Sequence, residues 1–240
     1  MDDTSRSHAL VLIPAYNEAS RIKGLIENIR RVAPEMSVLV VNDGSKDPTA
    51  SVARAAGAVV VTHPFNMGYG ATIQTGYKYA LAHGFNYLVQ LDADGQHDPA
   101  CIPGLLAPVI AGKTDVAIGS RFLGTSYQPP LVRRLGMALF RRIVFLVTGQ
   151  FITDTTSGYQ AFNQDVLKFF CKDIFPVDFP DADMLITLHR AGFRMLEVPV
   201  RMFENREGKS MHGGLKPVYY MFKMLLSIGV TLLRAKGKNP

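Results

Sequence analysis

The chain has 240 residues, 48% hydrophobic and 19% charged, which is enough for one large α/β domain with a sizeable core. Its formal charge of +6 suits an anionic partner, a nucleotide, an anionic lipid or a nucleic acid. Nucleic acid is the weakest of the three, because the sequence has no basic low-complexity tail and no zinc-finger or RNA-recognition pattern.

The first half alternates apolar strands with helices. Residues 9–13 read as a strand ending at Pro14, and residues 20–31 as a helix with Ile22, Leu25, Ile26 and Ile29 on one face. A second strand, 38–41, leads to Asp47-Pro48, an N-cap and first-turn proline for a helix reaching Ala56. Strand 58–61, helix 70–83, strand 86–91, helix 103–111 and strand 116–118 follow. This alternation predicts a mainly parallel sheet with helices on both faces. Past Gly119 the rhythm breaks. Residues 131–147 read as a helix carrying Arg133, Arg134, Arg141 and Arg142, and 153–162 as a polar, turn-prone stretch. Residues 183–191 read as a helix, 193–200 as a strand and 216–233 as an amphipathic helix.

Cys101 and Cys171 stand apart, with no CxxC pattern, which fits a reducing, intracellular setting. The polar start lacks the apolar core of a signal peptide. No uncharged apolar stretch reaches the roughly 18 residues of a membrane span.

The chemistry gathers at strand ends. The run Tyr-Leu-Val-Gln-Leu is followed at once by Asp92-Ala93-Asp94-Gly95-Gln96-His97. Two carboxylates therefore sit at the carboxyl edge of a strand, where open α/β sheets bind ligands. Hard oxygen donors there suit Mg²⁺ or Mn²⁺ shared with substrate phosphates. Asp43, in Asn42-Asp43-Gly44-Ser45, emerges at the same edge; Asp-Gly-Ser is also ordinary turn chemistry. The first strand lacks the G-x-G-x-x-G loop of a dinucleotide site, which counts against a nicotinamide enzyme. Gly68-Tyr69-Gly70 has Ile73 where a third glycine belongs, and as a phosphate loop it is weak.

Taken together, Pro14-Ala15-Tyr16-Asn17-Glu18, Asn42-Asp43-Gly44-Ser45, Asp92-Ala93-Asp94-Gly95-Gln96-His97, Gly119-Ser120-Arg121-Phe122 and Thr156-Ser157-Gly158-Tyr159 resemble the family 2 glycosyltransferases. The likeness is greatest to the dolichol-phosphate mannosyltransferase and polyprenyl-phosphate branch, and it spans roughly residues 9–214. It implies a GT-A fold, a Rossmann-like α/β sheet flanked by helices. It also implies a divalent metal, Mg²⁺ or Mn²⁺, a GDP- or UDP-sugar donor, a polyprenyl-phosphate acceptor and inversion at the anomeric carbon. By the resemblance, Pro14, Tyr16, Glu18, Val41 and Asp43 line the nucleoside pocket, and Asp92 and Ala93 contact ribose and diphosphate. Asp94 and Gln96 bind the metal, and Arg121 and Arg206 neutralise phosphates. Asp154, Thr156, Ser157, Ser210 and His212 lie on the acceptor side, and Asp183 takes an acidic position tied to acceptor or base duty. His97 fits a supporting place beside the metal pair. The sequence departs from the family loop after Ser210, where Met211 replaces a lysine and leaves Lys209 or His212 to take its part.

The expected organisation is a glycosyltransferase domain over 1–214, with a donor half at 9–122 and an acceptor half at 123–214, followed by a basic amphipathic helix and tail at 215–240. Lys216, Lys223 and Arg234 form one basic stripe, and Arg134 and Arg141 form another. Both suit an anionic membrane surface or a small membrane partner protein, and a peripheral place on the cytoplasmic face. Three other functions compete: the same fold acting on a glycan or other hydroxyl acceptor, which needs a true base; a catalytically silent nucleotide-sugar-binding module; and a sugar-nucleotide pyrophosphorylase, disfavoured because the first strand leads into no glycine-rich, lysine-bearing loop.

Overall fold

The computed structural model describes residues 8–123, 131–172, 182–203 and 216–233. Among them, seven strands form one sheet: β1 (Ala9–Ala15), β2 (Ser37–Asn42), β3 (Val59–Thr62), β4 (Tyr87–Gln90), β5 (Val116–Ser120), β6 (Gln160–Asn163) and β7 (Met195–Pro199). Their order is β3-β2-β1-β4-β6-β5-β7. The sheet is parallel throughout except at β6, which runs against both β4 and β5.

Six of these strands were expected from the apolar runs, and β6 was not. Its four residues, Gln-Ala-Phe-Asn, are too few to show an alternation, and they begin inside the stretch that reads as turn-prone. Their extended state is imposed from both sides, with Gln160 opposite Gln90 of β4 and Ile118 of β5.

The helices are α1 (Ile22–Val32), α2 (Thr49–Ala55), α3 (Tyr69–Ala82), α4 (Ile102–Ile110), α5 (Leu131–Thr148), α6 (Gln164–Phe170), α7 (Ala182–Arg190) and α8 (Lys216–Leu233). Strand alternation divides the core in two. Val11, Ile13, Val38 and Val40 face Ile22, Ile26, Ala53 and Leu105 on one side. Leu10, Leu12, Leu39 and Val41 face Ile73 and Tyr77 on the other, in a cluster that continues through Phe140, Phe170, Leu185 and Ile228. Gly76 lets α3 rest directly on β1: a methyl group there would stand 2.3 Å from Leu12 Cδ1.

Helix α2 starts one residue later than the capping pattern predicts, with Pro48 rather than Asp47 at its N-cap. Asp47 stays outside it, accepting from Thr49 N at 3.0 Å and from Ala19 N at 3.1 Å, so one carboxylate holds two loops. Helix α8 is packed rather than appended. Met224 and Ile228 are buried in the second core cluster, the Ser227 hydroxyl donates to Asp183, and Arg190 Nη1 donates to the carbonyls of Thr231 and Leu232 at 2.7 and 3.0 Å. Of its expected basic stripe, only the Lys223 side chain lies within the described part. Among the described residues no helix is long and apolar enough to cross a membrane.

At the opposite edge of the sheet, Asp115 and Arg194 tie β5 to β7. Asp115 Oδ2 accepts from Arg194 N and Nε at 2.9 and 3.1 Å, and Oδ1 accepts from Arg194 Nη2 at 2.9 Å and Asn163 Nδ2 at 3.0 Å. The Arg194 hydrogen bonds hold the Asp115 carboxyl below its ordinary value of 3.8. A lowered carboxyl contributes stability that is complete above the ordinary value and is lost as pH falls through the lower folded value. Asp115→Asn is therefore expected to reduce the urea midpoint at neutral pH, with the deficit shrinking as pH drops below 3.8. Denaturation curves across that range check it; an unchanging deficit would count against this account.

Candidate active site

The carboxyl ends of β1 and β2 are stitched together before any ligand is considered. Asn17 adopts φ of 58°; its N–H donates to Ser45 Oγ at 2.9 Å, and its Oδ1 accepts from Lys46 N at 2.8 Å. Glu18 N donates to Thr49 Oγ1 at 2.8 Å. Burial raises the Glu18 carboxyl above its ordinary value, with the charges on Asp94 and Asp47 adding to the rise and Arg21, 2.9 Å away, opposing it.

Asp43 sits just past β2, almost wholly buried. Its oxygens accept from Met67 N at 2.8 Å and Gly68 N at 3.0 Å, and Oδ1 lies 2.8 Å from His63 Nδ1. The far nitrogen of His63 is 3.0 Å from Thr75 Oγ1. Asp43 thus shapes the turn between β3 and α3, and most of its acceptor capacity is met by the protein. Of the other residues expected at the nucleoside, Pro14 is buried in β1 and Val41 is fully buried in the core against α3. Val41 therefore cannot reach a ligand through its side chain. Tyr16 is 41% exposed, and Glu18 is half-buried beside it.

Asp92 ends a hydrogen-bonded chain that starts deep in the core. Tyr77 OH, fully buried, donates to Gln90 Oε1 at 2.6 Å, and Gln90 Nε2 donates to Tyr69 OH at 3.1 Å. Tyr69 OH donates in turn to Asp92 Oδ1 at 2.9 Å. Gly158 presses on the same carboxylate: a Cβ there would lie 3.0 Å from Asp92 Oδ2 and 3.1 Å from Tyr69 OH. Burial raises the Asp92 carboxyl, and Asp94 adds to it. The Asp92 N–H donates to His97 Nδ1 at 3.0 Å, which leaves the ring proton on Nε2. Burial lowers the His97 pKa, and the ring stacks on Tyr159 with centroids 4.9 Å apart. His97 is neutral and supports the loop.

Asp94 Oδ1 accepts from Gln96 N at 2.9 Å, and Oδ2 accepts from Gln96 Nε2. Asp94 thus repels both Glu18 and Asp92, and a cation at Asp94 would relieve that repulsion. The donors are oxygens, hard ligands that fit Mg²⁺ or Mn²⁺. Among the described residues no three His, Cys, Asp or Glu side chains are grouped to hold a metal by themselves. The shell the protein offers is partial, which fits a cation that shares its coordination with substrate phosphates.

The sequence placed Arg121 on the donor side and Asp154 on the acceptor side; the structure joins them. Arg121 Nε and Nη2 donate to the two Asp154 oxygens at 2.6 and 3.1 Å, and Arg121 N adds a third bond at 3.2 Å. Asp154 is 0% and Arg121 7% exposed, so this is a buried, bidentate ion pair. Glu197 on β7 holds it in place, accepting from Thr153 N, Thr153 Oγ1 and Asp154 N at 2.8, 2.8 and 2.9 Å.

Asp183 lies in the first turn of α7, almost wholly buried. Its carboxylate accepts from Met184 N at 2.8 Å and from the Ser227 hydroxyl of α8. Ser157 is buried with its Oγ accepting from Tyr159 N at 3.3 Å, and Thr156 is half-buried beside it. Arg206, Ser210 and His212, with Lys209 and Met211, lie outside the described residues. His63, Tyr69, Gln90 and Glu197 are site-supporting residues that the sequence reading missed. The available signal was polarity where apolar residues were expected, above all Gln90 inside the run Tyr-Leu-Val-Gln-Leu.

Residues 10–170 match the family described as Glycosyl transferase family 2. The chain is 32% identical over 241 residues to polyprenol monophosphomannose synthase of Mycolicibacterium smegmatis, covering 95% of this chain and 90% of that protein. It is 27% identical over 239 residues to UDP-N-acetylglucosamine--dolichyl-phosphate N-acetylglucosaminyltransferase of Methanococcus voltae, covering 90% and 94%. Among solved structures, glucosyl-3-phosphoglycerate synthase from Mycobacterium tuberculosis, in complex with Mn²⁺, UDP and phosphoglyceric acid, superposes with a TM-score of 0.68 at 20% identity, over 97% of this chain and 79% of that one. The sheet with its single reversed strand is that of the GT-A glycosyltransferases. The chain belongs to glycosyltransferase family 2 and is an enzyme of that family.

Tyr69→Phe removes both the donor to Asp92 and the acceptor for Gln90 while keeping the ring. It is expected to lower unfolding free energy by about 1–2 kcal/mol, measured by urea denaturation, while Tyr16→Phe changes it by less than about 0.5 kcal/mol.

Proposed function

We propose that this enzyme transfers a sugar from a nucleotide-sugar donor to a polyprenyl phosphate, with inversion at the anomeric carbon and with Mg²⁺ or Mn²⁺ as cofactor. Tyr16, Glu18 and the Asp43 turn frame the nucleoside, and Asp92 faces ribose and diphosphate. Asp94 and Gln96 would hold the cation, which when bound offsets charge on the departing diphosphate. Gln96 would do so through its amide oxygen, by turning over the carboxamide that now donates to Asp94. Arg121, aimed by Asp154, and Arg206 meet phosphate oxygens. The work takes place at a membrane face, cytoplasmic by the same reading.

One observation carries the choice of acceptor. Asp183, the candidate base, has its carboxylate bonded to Ser227 and to Met184 N, which poorly suits a group that must take a proton from a hydroxyl. A phosphate monoester has a second pKa of about 6 and arrives already anionic. It needs positioning rather than deprotonation, and in-line placement supplies much of the rate. The names of the two relatives, which join polyprenol or dolichyl phosphate to different sugars, support this acceptor class without selecting the sugar.

A thermal-shift panel of nucleoside diphosphates with and without Mn²⁺ tests the donor side, since a ligand of the folded state raises the midpoint by mass action. One diphosphate is expected to raise the midpoint only with metal present, and Asp94→Asn to abolish that dependence. In a transfer assay on undecaprenyl phosphate, Asp183→Asn should retain more than about a tenth of wild-type kcat, because no proton has to be removed. Loss of turnover in a folded Asp183→Asn protein would instead favour a hydroxyl acceptor.

A further inference from the structure

The chain leaves β7 and turns back along the loop that carries Asp94 and Gln96. Arg201, Met202 and Phe203 lie antiparallel to Gln96, His97 and Asp98, a short ladder outside the main sheet. Phe203 N donates to Gln96 O at 2.7 Å, Met202 bridges His97, and Asp98 N donates to Arg201 O at 3.3 Å. One guanidinium fastens this return segment at both ends. Arg201 Nε donates to Asp98 Oδ2 at 2.7 Å, with Nη2 2.5 Å from the same oxygen, and the guanidinium carbon stands 5.3 Å from the centroid of the Phe203 ring. Asp98 is itself anchored: its Oδ1 accepts from Ala100 N at 3.0 Å, and its carbonyl accepts from Tyr159 OH at 3.0 Å.

The return segment matters because of what else holds Gln96. The Gln96 N–H and carboxamide both donate to Asp94, so these bonds depend on the very oxygens that a cation would draw on. Gly95, at φ of 78°, makes the turn between the two residues. Among the described residues, Gln96 makes one hydrogen bond outside that turn, through its carbonyl to Phe203 N. A cation at Asp94 would loosen the bonds inside the turn and leave the bond to Phe203 intact. The Gln96 carboxamide would also have to turn over before its oxygen faced a cation. It can do so without shifting the main chain only if that chain is held from elsewhere. Groups behind the ligands of a metal commonly set its affinity in this way. The Arg201 side chain is 66% exposed, and an ion pair so open to solvent contributes little to the stability of the whole domain.

We propose that Arg201 is a positioning residue for the cation: by fastening the return segment to Asp98 and Phe203 it fixes the Gln96 main chain and so raises the affinity for Mg²⁺ or Mn²⁺. The proposal rests on the reading of Asp94 and Gln96 as the cation-holding pair given above.

Binding of Mn²⁺ alone to the full chain, followed through the electron paramagnetic resonance of the free ion, tests it without donor or acceptor. Wild type is expected to bind Mn²⁺, and Asp94→Asn to lose that binding. Arg201→Met keeps most of the side-chain length but neither its charge nor its donors. It should weaken Mn²⁺ about tenfold, and Arg201→Lys, which keeps the charge, should weaken it less. Arg194→Met removes the guanidinium paired with Asp115, also mostly exposed, and should leave Mn²⁺ affinity unchanged. Thermal midpoints of the two methionine variants should fall slightly and by similar amounts. The proposal is overturned if Arg201→Met binds Mn²⁺ as wild type does while Asp94→Asn does not. It is also overturned if Arg194→Met loses as much affinity, or if the loss in Arg201→Met comes with a midpoint far below that of Arg194→Met, since either outcome makes the pair a general brace. A wild type that binds no Mn²⁺, or an Asp94→Asn that still binds it, refutes the assignment of Asp94 and Gln96 and takes the proposal with it.

Discussion

The reversal of β6 is the constraint on which the site depends. Because β6 runs against its neighbours, its first residue stands at the carboxyl edge of the parallel strands, and the segment leading into it must cross that edge. A parallel strand in the same slot would have its lead-in at the opposite edge. The crossing brings Gly158 against Asp92 and Asp154 against Arg121. It is pinned on both sides: Gly119 N donates to Tyr159 O at 2.8 Å, and Tyr159 OH donates to Asp98 O at 3.0 Å. Donor-side and acceptor-side residues, far apart in sequence, become one surface through four residues of antiparallel strand.

The polar groups at this edge are held by satisfaction rather than by bulk. Asp43, Asp92, Asp154 and Glu197 each accept at least one hydrogen bond from the protein, and buried polar groups are tolerated on that condition. Asn42 Oδ1, Thr155 Oγ1, Gln160 Oε1 and Arg141 Nε are the exceptions among the described residues, buried without a partner. Three of these four lie on the strand ends and crossing segment that frame the site.

Much of this was legible in the sequence because long apolar runs punctuated by Gly and Pro report buried strands directly. Residues 9–13, 38–41 and 86–91 did so, and they placed Asp43 and Asp92 at one edge. What stayed hidden was set by partners rather than by pattern. Gln-Ala-Phe-Asn has no alternation long enough to detect, and its strand state comes from Gln90 and Ile118 on either side. Arg121 was assigned to phosphates and Asp154 to the acceptor side without a link between them, because no local signal says that a guanidinium and a carboxylate 33 residues apart will meet. Which way the Val41 side chain points was hidden for a simpler reason: in a strand buried on both faces, adjacency to a motif does not decide it.

The Arg121–Asp154 pair also limits how this protein can change. Losing one partner of a buried ion pair leaves an uncompensated charge, at a cost of roughly 3–5 kcal/mol, against a total stability of roughly 5–15 kcal/mol for a typical domain. Single substitutions at either position therefore pass through a poorly folded intermediate, whereas simultaneous replacement of both by apolar residues of matched volume does not. Residues 121 and 154 form a two-site lock on mutational drift: a graft of the β5 end onto another scaffold must bring the residue before Thr155 with it, and Glu197 as well.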